Sequence, residues 1–229
     1  MKTIAIVCGG DSSEHDVSMR SAEGIASFID SERYLIYKVE ICAGKWEAML
    51  PDGSRAMVCK DDFSFVVEGE RIRPDMCYIT IHGAPGENGE LQGYFDLIGM
   101  PYSTCGVLVE ALTYDKFVLN NYMRAFGVSV ADSLLVKIGH DKEVSDEDIV
   151  SRIGLPCFVK PSRGGSSFGT TKVKTVEALR PAIELALEEG EDVMVESFMG
   201  GTEITCGCYK TKQKSVVFPI TEVVPQNEF

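Results

Sequence analysis

Thr3-Ile4-Ala5-Ile6-Val7-Cys8 is an unbroken run of apolar and β-favouring residues that ends on Gly9-Gly10. A run with no alternating polar face reads as a strand covered on both sides, the habit of parallel sheets. The glycine pair lets the chain turn sharply where the strand stops. A helix follows, with Val17, Ala22, Ile25, Ala26 and Ile29 on one face. Tyr34 to Ile41 is a second strand and Met76 to Ile81 a third, with Pro51-Asp52-Gly53-Ser54 as a turn between weaker segments. Leu91 to Ile98 reads as a helix, and Gly99-Met100-Pro101-Tyr102 as the turn and short strand after it. Alternation of this kind predicts an open α/β sheet, in which ligands sit beyond the carboxyl ends of the strands. Gly9, Gly10, Glu14, His82 and the loop after it fall on that one edge.

A second unit begins near Thr113. Asp115 to Phe126 reads as a helix stopped by Gly127, and Ala131 to Val136 as a strand. Ser145-Asp146-Glu147-Asp148 carries the capping pattern of a helix start. The strand Cys157 to Lys160, a small-residue loop, a strand at Thr171 to Val173 and a helix from Thr175 to Glu189 follow; Pro181 marks either a first turn or a kink there. Val193 to Glu196 is a strand leading into Ser197-Phe198-Met199. Glu203 to Tyr209 and Ser215 to Phe218 read as a hairpin.

Charge narrows the partners. The chain of 229 residues carries a net charge of −13, so it lacks the basic stripe that nucleic-acid phosphates require. Its apolar runs are too short for a membrane span, and Met1-Lys2-Thr3 enters the first strand with no export signal, which predicts a cytoplasmic protein. The eight cysteines form no Cys-x-x-Cys pair and no zinc spacing; they read as buried free thiols in a reducing compartment.

The chemistry concentrates at Lys160-Pro161-Ser162-Arg163-Gly164-Gly165-Ser166-Ser167-Phe168-Gly169. A lysine closing a buried strand supplies a point charge, glycines let backbone N–H groups approach an anion, and Ser166 and Ser167 add hydroxyls. The spacing is not that of a P-loop. A solvated Gly/Ser surface loop is the plainer alternative; the lysine at the strand end and Arg163 within the loop favour phosphate.

Taken with Gly9-Gly10-Asp11-Ser12-Ser13-Glu14-His15-Asp16-Val17-Ser18, Ile81-His82-Gly83, Gly86-Glu87-Asn88-Gly89-Glu90-Leu91-Gln92-Gly93 and Thr113-Tyr114-Asp115-Lys116, this loop and the later Glu196 and Glu203 resemble the ATP-grasp superfamily, and within it the D-alanine–D-alanine ligases. The resemblance runs over essentially the whole chain. It implies phosphorylation of one D-alanine carboxylate by ATP, then attack of a second D-alanine amine on the acylphosphate, for peptidoglycan synthesis. By the same resemblance Glu14 pairs with the first D-alanine's ammonium, His82 lies near the reacting carboxylate, and Ser166 joins the hydrogen bonds that close the loop. Lys116, Lys160 and Ser167 go to the nucleotide phosphates, Glu196, Phe198 and Met199 to adenine, and Glu203 to ribose. Read alone, Glu14 is equally a helix-start glutamate, and Glu196 and Glu203 are solvated strand-end charges.

The resemblance further implies D-alanine and ATP as partners, a homodimer as an allowed assembly, and Mg2+ whose ligands are expected beyond the end of this chain, so no metal ligand is named here. It suggests three parts: an amino-terminal α/β substrate-binding domain over 1–106, a central lid domain over 107–195, and the start of an incomplete carboxy-terminal α+β domain over 196–229. On that view the chain is truncated and inactive alone. The alternatives are a non-catalytic nucleotide- and amino-acid-binding fragment, or a D-alanine–D-lactate or D-alanine–D-serine ligase.

Overall fold

The computed structural model describes residues 1–165, 168–189 and 192–224, which divide into two compact units. The first comprises residues 1–129 with 162–168; the second comprises 130–161 with 169–229.

In the first unit β1 (Lys2–Gly9), α1 (His15–Phe28) and β2 (Tyr34–Cys42) open the chain, followed by β3 (Lys45–Met49), β4 (Arg55–Met57), β5 (Phe65–Val67), β6 (Glu70–Ile72) and β7 (Met76–Ile79). The helices α2 (Glu90–Leu97), α3 (Val107–Tyr114) and α4 (Lys116–Ala125) complete it. One five-stranded sheet runs in the order β4-β3-β2-β1-β7. β1 pairs in parallel with both β2 and β7, as its unbroken apolar run predicts, whereas β3 and β4 add antiparallel. The sheet is therefore mixed, because the segments around the Pro51 turn are too closely linked for the long crossover that parallel pairing needs.

Alternate β1 side chains serve opposite faces. Ala5 and Val7 join the larger core with Val39, Ile41, Phe63, Phe65, Leu91 and Phe95, while Ile6 and Cys8 pack with Ala22 of α1 and its neighbours. Phe63 and Phe95 meet edge to face at 5.0 Å, and each buried ring contributes about 1.5–3 kcal/mol of transfer free energy. β1 is thus the axis of the unit.

The second unit contains β8 (Ser133–Val136), α5 (Asp146–Ile153), β9 (Cys157–Pro161), β10 (Thr171–Val173), α6 (Leu179–Leu187) and β11 (Val193–Ser197), then the short β12 (Ile204–Thr205), β13 (Cys208–Lys210), β14 (Ser215–Val217) and β15 (Thr221–Glu222). Its main sheet, in the order β10-β9-β11-β8, is antiparallel throughout. Ser145 caps α5 by accepting the Asp148 N–H at 3.1 Å, as the capping pattern predicts. Pro181 is the third residue of α6, where its missing N–H costs no helical bond, so the first-turn reading holds and no kink is needed. Val159, Val173, Ile183, Val193 and Val195 fill the core between the helices and one sheet face.

Two expectations change. The segment Glu203 to Tyr209 is not one strand: it breaks at Cys206-Gly207, so β13 pairs with β14 while β12 pairs with β15. The thiols are free, but only Cys8, Cys77 and Cys157 are buried, and Cys105, Cys206 and Cys208 are exposed. Among the described residues no helix is long and apolar enough to cross a membrane.

Candidate functional site

In the first unit the turns after β1 and β7 are laced together. The Gly9 N–H donates to the Ser18 hydroxyl at 2.9 Å, that hydroxyl donates to the Thr80 carbonyl at 2.8 Å, and the Asp11 N–H donates to Ala84 O at 3.1 Å. Ser12 bridges the two predicted substrate residues: its hydroxyl donates to His82 O at 2.8 Å and accepts the Glu14 N–H at 3.2 Å. Small residues are required for this approach. A Cβ on Gly10, whose φ is +98°, would stand 2.7 Å from Ile81 Cγ2, and one on Gly86 would stand 2.5 Å from Ile81 Cβ. The glycine-rich motifs are therefore packing constraints that bring Glu14 and His82 to one edge.

Glu14 is 5% exposed and precedes α1 without its side chain making a capping bond. Its carboxylate faces the loop instead: a Cβ on Gly165 would lie 2.7 Å from Glu14 Oε2. The carboxylate is therefore not used as a side-chain cap of α1. The Nε2 atom of His82 lies 3.4 Å from the Ser21 hydroxyl, and the Gly83 N–H donates to Glu87 Oε2 at 2.8 Å.

Lys116 is the first residue of α4, and Asp115 caps that helix by accepting the Val118 N–H at 3.1 Å. The Lys116 ammonium donates to Gly164 O at 2.7 Å. Beside it a cavity of about 190 Å³ is lined by Glu87, Glu110, Thr113, Tyr114, Lys116 and Gly164. Burial, reinforced by the charge of Glu87, raises the Glu110 carboxyl above its ordinary range, although the N–H of Cys105 and the hydroxyl of Thr104 offset part of this. Ser166 and Ser167 lie outside the described residues.

In the second unit Phe158 and Lys160 share the β9 face opposite the core, since Cys157, Val159 and Pro161 are buried between them. Lys160 forms an ion pair with Glu196 of β11; the two side chains are 20% and 15% exposed. Just after β11, Phe198 lies 6.1 Å from the Phe158 ring, and the Lys172 ammonium sits 4.4 Å from the Phe198 ring centre. The sheet thus offers an aromatic surface bordered by two cations and a carboxylate. The N–H groups of Ser197 and Phe198 are taken by Asp132 O and Pro156 O at 2.8 and 3.3 Å, so neither is turned toward a base. Met199 and Glu203 are both exposed.

Sequence reasoning missed Phe158, Lys172, Asp115 and Ser162. The i, i+2 relation of Phe158 to Lys160 was the available signal for the first. Asp115 was legible only as the start of a helix, and Ser162 as one small residue of its loop, because the bond between them spans 47 residues. Among the described residues no group of three or more His, Cys, Asp and Glu side chains is arranged to hold a metal ion.

Residues 3–105 match the family model described as the D-ala D-ala ligase N-terminus, and residues 122–229 match that of the D-ala D-ala ligase C-terminus. A D-alanine--D-alanine ligase of Phocaeicola vulgatus is 61% identical over 228 residues, covering 100% of this chain and 70% of the relative. The chain belongs to the D-alanine–D-alanine ligase family. A second relative of that description, from Bacteroides fragilis, is 62% identical with the same coverage. Among solved structures, D-alanyl-alanine synthetase A from Vibrio cholerae superposes with a TM-score of 0.87 at 27% identity, covering 99% of this chain and 68% of that one. The VanG D-Ala:D-Ser ligase from Enterococcus faecalis gives 0.83 at 30% identity, covering 96% and 69%. Membership makes the protein an ATP-dependent ligase of the ATP-grasp fold.

Proposed function

We propose that residues 1–229 carry the first D-alanine site and nucleotide-binding residues of an enzyme that joins two D-alanines through an acylphosphate, in the cytoplasm, for peptidoglycan synthesis. The observation that carries this reading is the buried carboxylate of Glu14, set on the edge shared with His82 and against a glycine of the loop. A carboxylate in such a place, on the edge shared with His82, is suited to an ammonium ligand. His82, on the same edge, is suited to the substrate carboxylate.

ATP supplies a phosphoryl group and a polyanion to be held. Lys116 presents its ammonium at the amino end of α4, where the helix dipole adds positive potential. Lys160 presents another on a water-poor sheet face, and the residues fit a nucleotide further in that Phe158 and Phe198 offer ring faces for a base. Glu196 is suited to a base amino group and Glu203 to ribose hydroxyls. Ser166 and Ser167 are assigned to the closing loop and the phosphates by the family pattern alone. Mg2+ would neutralise charge on the phosphates when bound; no residue of this chain is assigned to it. The division into 1–106, 107–195 and 196–229 is part of the same reading, as is a homodimer.

The test joins residues 1–229 to the remaining part of the Phocaeicola vulgatus relative and follows ADP release with D-alanine. D-alanyl-D-alanine formation, lost by at least a hundredfold in Glu14→Gln because an ammonium loses its ionic partner (~3 kcal/mol), is expected. Unchanged turnover in Glu14→Gln would sink the assignment. The 229-residue chain is expected to bind ATP. Preference for D-serine or D-lactate as second substrate would favour the other ligase reading, which the likeness to the D-Ala:D-Ser ligase keeps in view.

A further inference from the structure

We propose that Asp115 is a positioning residue for phosphate binding: its carboxylate ties the root of the loop, at Ser162 and Arg163, to the helix that begins with Lys116, so that lysine and loop are placed as one piece. The inference rests on the reading of Lys116 as a phosphate ligand.

The geometry is reciprocal. Asp115 Oδ1 accepts the Ser162 hydroxyl at 2.7 Å as well as the Val118 N–H at 3.1 Å, and Oδ2 faces Arg163 Nε at 3.4 Å. Ser162, fully buried, gives back its carbonyl to the Lys116 N–H at 2.8 Å, and its Oγ lies 3.4 Å from the Phe117 N. The Lys116 ammonium then reaches the next stretch of loop at Gly164 O, 2.7 Å away. Two stretches 47 residues apart are thereby locked through one carboxylate.

The chemistry argues against capping as the whole purpose. Asparagine or serine caps a helix about as well as aspartate. A carboxylate next to a lysine that must bind a polyanion opposes that binding by simple Coulomb repulsion. What only the anion supplies is a charge-assisted hold on Ser162 and Arg163 together. Positioning and plain electrostatics therefore predict opposite signs: if Asp115 acted through its charge alone, neutralising it would tighten ATP binding, whereas loss of positioning weakens it.

The experiment measures Mg–ATP affinity by titration calorimetry for the 229-residue chain and its Asp115→Asn, Asp115→Ala and Lys116→Ala variants. It also follows amide exchange at Lys116 and Val118 without nucleotide. Asp115→Ala is expected to weaken ATP roughly tenfold, the worth of one charge-assisted bond, and to speed exchange at both amides. Asp115→Asn, which can still accept from Val118 and Ser162, is expected to weaken ATP about threefold and to keep the Val118 amide protected. Should Asp115→Ala fail to fold, Asp115→Asn decides by sign. Equal or tighter ATP binding in Asp115→Asn, with Lys116→Ala still weakened, overturns the positioning role while leaving the lysine reading intact. Unchanged affinity in Lys116→Ala, or no ATP binding by the parent chain, overturns the reading on which the inference stands.

Discussion

The edge that carries Glu14 and His82 and the sheet face that carries Lys160 and Glu196 are held in place by different means. At the first, the backbone does the positioning: turns are bonded to turns through Ser12, Ser18 and Thr80, and glycines allow approaches no other residue permits. At the second, regular strands supply a generic platform, and a side-chain ion pair sets the charges upon it. The first site should therefore fail by misfolding, and the second by losing its ligand while the fold survives.

The largest effect is expected at the first site. Gly86→Ala forces a methyl group to within 2.5 Å of Ile81 Cβ and 2.8 Å of its carbonyl, so a loss of roughly 2–3 kcal/mol in urea unfolding is expected. The counterpart at the second site is the double change Lys160→Met with Glu196→Leu, expected to stay within about 1 kcal/mol, as apolar replacements of buried ion pairs often do. Equal losses in the two variants would erase the distinction.

A smaller effect concerns affinity. Lys160→Ala is expected to weaken ATP binding about tenfold, because a desolvated phosphate contact is lost. Lys142→Ala removes the same charge from an exposed helical turn, Asp141–Glu143, and is expected to change affinity less than about twofold. Matching affinities in a calorimetric comparison would remove Lys160 from the site.

The smallest effect is a pH dependence confined to the first region. Hydrogen bonds from His15 to Asp16 and to Glu40 raise the imidazolium's pKa above its ordinary value. Glu40, also held by Arg55, is the better-shielded partner. Because the folded pKa is the higher one, the stabilisation is complete below the unfolded value near 6.5 and fades as pH rises through the folded value. A small fall in Tm between pH 6 and 8.5 is expected, and His15→Gln should flatten it. An identical slope in His15→Gln would assign the dependence elsewhere.

What could be read in advance follows the same division. β1 was legible because an apolar run with no polar face has few ways to be buried, and Ser145 announced a helix start through backbone chemistry, whereas Pro181 left a first turn and a kink both open. α3 was not: Val107-Leu108-Val109 resembles a strand by composition, and the helix buries none of its residues, so no amphipathic period could show it. The motif residues Glu14 and His82 stood out beside glycines whose packing purpose is now visible. Ser162 could not be separated from the other small residues of its loop, since its burial depends on Asp115 and Lys116. Lys172 carried no signal of its own within its short strand; the pairing of β10 with β9 sets it near two aromatic rings.

The short ladders β12 to β15 leave Ile204, Val217, Phe218, Ile220 and Val224 facing water on a chain whose net charge is −13. These two properties act on neighbouring molecules over different ranges. Electrostatic repulsion reaches roughly 10 Å at 0.1 M salt and shrinks to about 3 Å at 1 M, whereas apolar attraction operates on contact and persists. Salt should thus act as a glue rather than a solvent for this polypeptide: light scattering should report larger particles as sodium chloride is raised, the reverse of an assembly held by ion pairs.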